Sequence, residues 1–396
     1  MKAAIPSVLL LLIVSTLSAQ KITGPLSPHF QQWLQANGYA SNDFIRGDLG
    51  SSGSFGGRAD ENQKIINQPV VFVHGNSDLA LQKDAVSTYQ TGWDQTAAFF
   101  MKEGYTAAEL YATTWGPAQS SQALQQTYKC EYVLRIRRFI EAVLAYTNTS
   151  KIDIIGHSMG VALSRRAVKG GSECNLGAAL TDRVDTFLGL AGVNYGLCTC
   201  QYAGIITTCN ANDGFFPGQC GSQSICAFTL QECVQTQYAT FMQNLNEDPT
   251  KEGENIFAFW SNNDEILGQG SKAFGKVTAR IPNMNGSKTY NSLKHMDVKD
   301  KTGADQIKAV RDHVIDMTDL PGGGLQGNGS NLPTWSLPDL SGLISSGLAA
   351  LQGGGRPENR PNLPMLNLPD IPSLFSSSLQ SISDSLKNLF NGRLIL

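Results

Sequence analysis

Three features are absent from this sequence, and each absence narrows the possible functions. No stretch beyond the first 20 residues approaches the roughly 18 uninterrupted apolar residues that a membrane helix needs, so we expect no transmembrane segment. The chain has 30 basic and 33 acidic residues and a net charge of -3, which gives no indication of a nucleic-acid partner. No internal repeat recurs along the chain, so nothing indicates a repeat architecture.

The first 19 residues have the pattern of a secretory signal peptide. One lysine, Lys2, precedes an apolar run from Ile5 to Val14, and small residues follow up to Ala19. The run is too short to span a bilayer comfortably, so we expect residues 1–19 to be removed and a secreted chain to begin near Gln20. Three Asn-X-Ser/Thr sites are candidates for glycosylation: Asn148, Asn285 and Asn328.

Eight cysteines in an exported chain predict four disulfides, because thiols are oxidised outside the cell. A zinc cluster is the alternative interpretation. Cys130 begins a predicted helix before the segment 151–156, and Cys174 follows the helix after it, so we expect these two to be bridged. Six crowded cysteines are then left to pair among themselves: Cys198, Cys200, Cys209, Cys220, Cys226 and Cys233.

Residues 20–320 alternate strand-like and helix-like segments, which favours an α/β fold with a mostly parallel sheet. Short apolar segments predict strands in QPVVFVHG, AELYATTWG, KIDIIG, RVDTFLGLAG and NIFAFWS. Apolar residues three and four apart predict amphipathic helices in GWDQTAAFFMKEG and CEYVLRIRRFIEAVLAYT. The Cys-rich segment 193–234 interrupts this alternation as an insertion. Residues 321–396 form a low-complexity tail rich in Gly, Pro, Ser and Leu, which we expect to be mostly disordered.

The segment Gly156-His157-Ser158-Met159-Gly160 matches the pattern G-x-S-x-G. It lies between a short apolar run at 152–155 and a predicted helix over 161–169 that two glycines close. A serine at such a strand-to-helix turn is held out at the top of the sheet, where it can act as a nucleophile. The alternative interpretation is that the serine caps an ordinary helix.

A nucleophilic serine needs a histidine base, and the chain has only five histidines. Three of them precede or adjoin the serine, whereas the base follows the nucleophile and the acid in this kind of site: His29, His74 and His157. His313 lies in ADQIKAVRDHVIDM, a helical pattern that explains it as a surface or packing residue. His295, in the polar stretch NSLKHMDVKD, is therefore the favoured base.

The acid that orients the base is expected just beyond a late strand. The segment NIFAFWSNNDEIL puts Asp264 in that position, where its carboxylate would fix the imidazole tautomer, and neighbouring Glu265 is the alternative.

Two backbone N–H donors are also needed to stabilise an oxyanion. We expect one from Met159, the residue after the nucleophile. The other is expected from Asn76 in the loop VVFVHGNSD, where Gly75 lets the backbone pass close to a substrate.

Together these pieces resemble the class 2 lipases of the α/β-hydrolase superfamily. VVFVHGN, GHSMG, FWSNNDEI and KHMDVKD occur in that order over roughly residues 25 to 318, and SFGGR upstream is similar to the secreted animal members. The resemblance implies a mostly parallel sheet with helices on both faces and a hydrolase of carboxylic esters, often triacylglycerols, without a metal or organic cofactor. It also implies a triad of Ser158, Asp264 and His295. Two departures are Val161, where the family commonly has a second glycine, and the large Cys-rich insertion.

We expect a secreted triacylglycerol lipase with a lipid ester as its substrate. The alternatives are an esterase for small soluble esters and a catalytically silent lipid-binding or matrix protein.

We expect the insertion to form a self-contained cap over the pocket, with Phe215, Phe216 and Phe228 available to face a lipid chain. In the tail, SLFSSSLQSISDSLKNLFN predicts either a helix that contacts a lipid surface or a linker with chance periodicity. The helix would place five apolar residues on one face: Phe375, Leu379, Ile382, Leu386 and Leu389.

Overall fold

The computed structural model describes residues 21–83, 87–221, 224–229 and 231–315. The predicted signal peptide, the tail 321–396 and Asn328 lie outside these ranges, so the expectations for them stay predictions. In the described part of the chain, no helix is long and apolar enough to cross a bilayer.

A seven-stranded sheet organises the described residues. Its strands are β1 (Ser54–Phe55), β2 (Val70–Val73), β3 (Leu110–Thr113), β4 (Ile152–His157), β5 (Val184–Leu190), β6 (Asn255–Ser261) and β9 (Gly286–Tyr290). Their spatial order is β1-β3-β2-β4-β5-β6-β9, and every neighbouring pair is parallel except β1 with β3. A separate antiparallel hairpin consists of β7 (Lys272–Ala273) and β8 (Lys276–Val277). The predicted α/β fold with a mostly parallel sheet is confirmed.

The central strands are apolar runs because both faces of a parallel sheet are covered. Every residue of β2 (VVFV) and of β4 (IDIIGH) is buried, and β4 lies between β2 and β5. Since β2, β4, β5 and β6 are parallel, their carboxyl ends lie at one edge of the sheet, which we call the carboxyl edge. The loops that follow these strands therefore meet at this edge.

Seven α-helices accompany the sheet in the described residues: α1 (Pro28–Ala36), α2 (Asp94–Lys102), α3 (Cys130–Thr147), α4 (Met159–Lys169), α5 (Thr240–Glu247), α6 (His295–Asp300) and α7 (Gly303–Ile307). Helix α3 coincides with the predicted amphipathic segment. Helix α4 ends where Gly170 adopts a φ of +70°, a conformation that glycine adopts without a steric penalty. The two glycines after α4 therefore close the helix, as predicted.

Parts of the secondary structure differ from the prediction. Strand β9 (GSKTY) was missed because it is the last strand in the order of the sheet and has one buried residue, Lys288, instead of an apolar run. The helix predicted around His313 is confirmed as far as Asp312, since a π-helical turn over Lys308–Asp312 continues α7, but His313 itself follows that turn with a φ of +55°. His295, in the polar stretch NSLKHMDVKD, is the first residue of α6.

All eight cysteines form disulfides. Cys130 pairs with Cys174, as predicted, and joins the start of α3 to the segment after α4. The six crowded cysteines pair among themselves, so the zinc-cluster alternative is wrong. Their pairs are Cys198–Cys226, Cys200–Cys209 and Cys220–Cys233.

The insertion is not a self-contained cap, because part of it belongs to the main hydrophobic core. Phe215 is 5% exposed and packs edge-on against Tyr128, with ring centroids 5.4 Å apart. Phe216 is partly buried against the same core. The expectation that Phe215 faces a lipid chain is therefore wrong, and of the three predicted phenylalanines only Phe228 is exposed.

Removing the Cys130–Cys174 disulfide should destabilise the protein more than removing Cys220–Cys233. These bridges join residues 44 and 13 positions apart. Each bridge lowers the chain entropy of the unfolded state, which corresponds to about 4 kcal/mol of stabilisation for Cys130–Cys174 and about 3 kcal/mol for Cys220–Cys233. The measurement is the free energy of unfolding in urea for the two double Cys→Ser variants. A larger loss for the Cys220/Cys233 variant would contradict this account.

Candidate active site

Ser158 lies on the turn between β4 and α4, with backbone angles that L residues rarely adopt. Its φ is +53° and its ψ is -125°. The Ser158 N–H donates to the carbonyl oxygen of Leu190 at 2.9 Å, which ties the turn to β5. An ordinary N-cap residue is extended and accepts a hydrogen bond from the first helical turn. Ser158 has neither the extended backbone nor, among the described residues, that bond. Backbone strain of this kind persists where the surroundings enforce it, typically at functional sites.

Two glycines let the backbone pack closely around the serine. A Cβ at Gly160 would collide with the carbonyl oxygen of His74, so only glycine lets the start of α4 approach the end of β2. A Cβ at Gly75 would lie 3.0 Å from the Cβ of Ser158. The loop after β2 therefore passes directly beside the serine.

Val161, where the sequence departs from the common pattern, fills space that two other glycines leave. The side chain is fully buried. A Cβ at Gly189 would lie 3.0 Å from Cγ1 of Val161, and a Cβ at Gly192 would lie 3.1 Å from the same atom. The valine is therefore accommodated by the carboxyl end of β5 and the residues after it.

His295 and Asp264 are joined by a buried hydrogen bond. Nδ1 of His295 lies 2.8 Å from Oδ2 of Asp264, and the two residues are 4% and 2% exposed. The other carboxylate oxygen of Asp264 accepts from the N–H groups of Ile266 at 2.9 Å and Leu267 at 2.8 Å. Since an ionised carboxylate only accepts, Nδ1 of His295 carries the proton and Nε2 keeps its lone pair.

Glu265 and His313, the alternatives that the sequence left open, have other partners. Oε2 of Glu265 accepts from the backbone N–H of His295 at 3.0 Å, so it holds the start of α6. Nε2 of His313 lies 3.1 Å from Oδ2 of Asp185, at the amino end of β5. Ser158 is bonded to the carboxyl end of that strand, five residues further on and thus roughly 16 Å away.

Opposing effects set the pKa of His295. Burial opposes the charged imidazolium, but the charge and hydrogen bond of Asp264, followed by the charge of Glu265, favour it. The positive charge of Lys299 lowers the pKa of His295, as burial does. The net result is that the pKa of His295 is raised above its usual value. A raised pKa makes the neutral imidazole a stronger proton acceptor.

His157 connects the serine turn to α6. Its Nε2 lies 3.2 Å from the backbone carbonyl oxygen of His295, and the two rings are 4.7 Å apart between centroids. A carbonyl oxygen only accepts, so Nε2 of His157 carries the proton. Burial, followed by the charges of His295 and Lys299, holds the pKa of His157 well below its usual value, so this ring is neutral. The residue before the serine therefore anchors the helix that begins with His295.

The loop after β2 faces the same turn. Nδ2 of Asn76 donates to the carbonyl oxygen of Ala123 at 2.9 Å, and Oγ of Ser77 donates to Oδ1 of Asn76 at 3.0 Å. These bonds fix the side chain of Asn76 and thereby the orientation of its backbone. The N–H of Met159 lies in the first turn of α4, where the helix offers no carbonyl partner. Both expected oxyanion donors therefore belong to segments that adjoin Ser158.

Sequence reasoning missed the support beneath this loop. The His74 ring stacks on Trp115, with centroids 4.9 Å apart. Nε2 of His74 accepts from the Trp115 backbone N–H at 3.2 Å, and Nδ1 donates to the Gly75 carbonyl oxygen at 2.7 Å. Burial lowers the pKa of His74 to about 3, so the ring is neutral. His74 and Trp115 are 41 residues apart, and no local pattern links them.

Sequence reasoning also missed two buried titratable side chains, Lys299 on α6 and Asp78 after β2. Nζ of Lys299 donates to Oγ1 of Thr91 at 2.9 Å and to the Gly92 carbonyl oxygen, and it lies 5.3 Å from the Trp93 ring centroid. Asp78 accepts from the Gly92 N–H at 3.1 Å, and burial raises its pKa to about 6. These contacts attach α6 to the segment before α2. No group of three or more His, Cys, Asp or Glu side chains in the described ranges could hold a metal ion.

Several solved structures of ester hydrolases are similar to this chain at low sequence identity. Lipase B of Aspergillus fumigatus is 15% identical over 60% of this chain and 47% of its own, with a TM-score of 0.36. This chain thus spans about half the length of the fungal enzyme. One of the metagenome-derived lipolytic enzymes LipS and LipT is 13% identical over 62% and 94%, with a TM-score of 0.38. The Paleococcus ferrophilus monoacylglycerol lipase is 11% identical over 66% and 98%, with a TM-score of 0.37.

The family of the chain follows from its sequence. Among curated proteins, none matches it. The family model described as Lipase (class 2) matches residues 67–308, which is more than half of the chain. The matched range includes the loop after β2, the serine turn, the Asp264 segment and the start of α6. The chain therefore belongs to the class 2 lipase family and has the α/β-hydrolase fold.

Proposed function

We propose that this protein is a secreted serine hydrolase that cleaves carboxylic esters of lipids and acts as a triacylglycerol lipase. The observation that carries the proposal is the buried 2.8 Å hydrogen bond between His295 and Asp264, on a helix whose first carbonyl is bonded to His157, the residue before a serine with a φ of +53°. An oriented base next to a serine on a strained turn is the arrangement that activates a hydroxyl for nucleophilic attack.

In the proposed mechanism, Oγ of Ser158 attacks the ester carbonyl carbon. Nε2 of His295 takes the hydroxyl proton and then gives it to the leaving alcohol, so that an acyl-enzyme forms. A water molecule, deprotonated by the same imidazole, hydrolyses the acyl-enzyme and releases the fatty acid. Asp264 keeps the imidazole in the required tautomer and stabilises the imidazolium.

The tetrahedral intermediates are stabilised by two backbone N–H groups in this proposal. Asn76 supplies one from the loop after β2, and Met159 supplies the other from the start of α4. Support comes from the anchored Asn76 side chain and from the first-turn position of Met159. A donor of this type typically contributes about a hundredfold or more to the rate.

A lipid ester is the proposed substrate because the chain belongs to the class 2 lipases. A small soluble ester would react by the same mechanism, so the two substrates are distinguished by assay. A catalytically silent lipid-binding or matrix protein would have no need to keep the serine, histidine and carboxylate together. Their joint presence supports an enzyme.

Secretion is proposed on two grounds. All eight cysteines form disulfides, which is typical of proteins in oxidising compartments. Asn148, after α3, and Asn285, before β9, are both exposed, as attachment of a glycan requires. The signal peptide that would direct the export precedes the described residues.

Substituting Ser158→Ala should abolish catalysis. We expect kcat/KM for emulsified long-chain triacylglycerol to fall about ten-thousand-fold or more, because the covalent intermediate can no longer form. Ser172→Ala, at an exposed serine just after α4, is the matched control and should keep full activity. Full turnover by the Ser158 variant would contradict the mechanism. If the unsubstituted protein hydrolyses short soluble esters but not the emulsified triacylglycerol, the lipase assignment is contradicted.

The assignment of the acid predicts a difference between Asp264→Asn and Glu265→Gln. Only neutral His295 can accept the serine proton, so kcat/KM falls as the pH drops through the pKa of His295. Asp264→Asn removes the main influence that raises this pKa, so the acidic limb should move to lower pH. The rate should also fall by about 10⁴, because the imidazole tautomer is no longer fixed.

Glu265→Gln is the control for this prediction. It should move the acidic limb slightly to lower pH and leave the rate within about tenfold, because Glu265 contacts the backbone N–H of His295. The measurement is the pH profile of soluble-ester hydrolysis for both variants. A greater loss for Glu265→Gln would make Glu265 the acid.

We also propose that the domain boundaries are 20–320 for the hydrolase and 321–396 for the tail, and that the tail contacts lipid surfaces. Every residue assigned to catalysis precedes the tail. Truncation after about residue 325 should therefore preserve turnover of a soluble ester and weaken binding to emulsions. Loss of soluble-ester activity would show that the tail belongs to the fold, and unchanged emulsion binding would remove its lipid role.

A further inference from the structure

The insertion exposes a group of large apolar side chains. Nine such side chains are exposed among the described residues, and five of them lie in this one segment, with exposed fractions between 45% and 92%. Single exposed apolar residues are common, but a concentration of them indicates an interaction surface. We call these five side chains the cap face: Tyr202, Ile205, Ile225, Phe228 and Val234.

Cross-links hold two parts of the cap face next to each other. The Cys198–Cys226 disulfide joins the turn that carries Tyr202 and Ile205 to the segment that carries Ile225 and Phe228. The Gln201 side chain adds two bonds between the same parts. Its Nε2 donates to the Ser224 carbonyl oxygen at 2.8 Å, and its Oε1 accepts from the Cys226 N–H at 2.8 Å.

The same framework holds Val234. Its neighbour Cys233 forms a disulfide with Cys220 and donates its backbone N–H to the Phe274 carbonyl oxygen at 3.0 Å. Phe274 in turn packs with Cys226 and Ala273 in a small core that the surrounding disulfides cover. The five cap-face side chains are exposed and do not belong to this small core.

The cap face belongs to the same side of the molecule as the candidate active site. The insertion follows β5 at the carboxyl edge, where the serine turn also lies. Oγ1 of Thr208 in the insertion donates to the Gln126 carbonyl oxygen at 2.6 Å. Gln126 follows a short 3-10 helix, Ser120–Gln125, in which Leu124 is exposed and Ala123 accepts from the side chain of Asn76. One further exposed apolar side chain, Leu124, therefore lies on the segment that links the insertion to the loop beside Ser158.

The segment that carries four of the five cap-face residues is almost uncharged, although the exposed Lys272 of β7 lies against Cys198. From position 193 to 231 the sequence contains one charged residue, Asp213. Its carboxylate accepts from Oγ1 of Thr127 and from Nδ2 of Asn210, both at 2.8 Å. The next acidic residue, Glu232, is paired with Lys276 at 2.9 Å. An anionic membrane is recognised by clusters of Lys and Arg, each contributing through its charge, and the segment 193–231 has none.

We propose that the cap face docks the protein on the surface of a neutral lipid. The choice of a lipid as the occupant rests on the proposed function; the choice of an uncharged one rests on the charge distribution. Docking through this face turns the carboxyl edge toward the lipid, so that an ester can reach Ser158 without crossing bulk water. Affinity then comes from burial of apolar area and does not depend on salt or on anionic lipid.

The test uses the full-length chain with Ser158→Ala, so that the lipid is not consumed during binding. Flotation with triolein droplets stabilised by phosphatidylcholine measures the partition coefficient, with and without added phosphatidylserine and salt. The test variant adds Ile205→Ser and Val234→Ser, and the control adds Ile66→Ser and Val314→Ser. All four side chains are exposed, so each change should leave the fold intact, which circular dichroism checks.

The control pair matches the test pair in residue type but lies at the other edge of the sheet. Ile66 precedes β2, and Val314 follows His313, which is bonded to the amino end of β5. We expect the partition coefficient to fall at least about tenfold for the test variant and to stay within about twofold for the control. Added phosphatidylserine and salt should change neither value.

Four results would overturn the proposal. Equal binding by the test and control variants would remove the cap face as the docking site. Absence of binding by the parent chain would remove lipid docking altogether, and binding that needs phosphatidylserine would show attraction to an anionic surface. If the parent chain is a dimer, the test variant is a monomer and both bind droplets equally, the cap face is an interface between two copies of the protein. Turnover of a soluble ester by the unsubstituted chain tests the proposed function separately.

Discussion

The arrangement of the site depends on one backbone constraint, the left-handed conformation of Ser158 between the central strand β4 and α4. Such a conformation costs about 1–3 kcal/mol and needs a rigid surrounding to maintain it. Here the strand on one side, the Leu190 carbonyl oxygen and the close contact between Gly160 and His74 supply that surrounding. Because the turn is fixed, the serine is presented in one position, and the other groups can be oriented relative to it.

The electrostatics of three buried histidines separates their roles. Burial, followed by nearby positive charges, lowers the pKa of His74 and of His157, so both act as neutral hydrogen-bonding groups that fix backbone. His295 is equally enclosed, but the charge and hydrogen bond of Asp264, together with the charge of Glu265, outweigh the effect of burial and raise its pKa. Two neighbouring carboxylates, one of them bonded at 2.8 Å, therefore distinguish His295 from the other two buried rings.

The sequence predicts the elements that depend on local patterns. The five predicted strands occur, and Ser158 lies on the expected turn, because short apolar runs and glycine spacing are properties of adjacent residues. Features that depend on distant contacts were not predictable. β9 has no apolar run, and Phe215 packs on Tyr128 far along the chain. The bond between His157 and His295 spans 138 positions. Long-range packing decided these cases.

The central claim is that the residues around Ser158 activate its hydroxyl, and a fluorophosphonate probe tests it most directly because only an activated serine reacts with the probe. The measurement is peptide mapping by mass spectrometry after labelling the full-length chain and its His295→Ala variant. The account predicts a single adduct, on Ser158, and its loss in the variant. Labelling of another serine, or equal labelling of Ser158 without His295, would contradict the account.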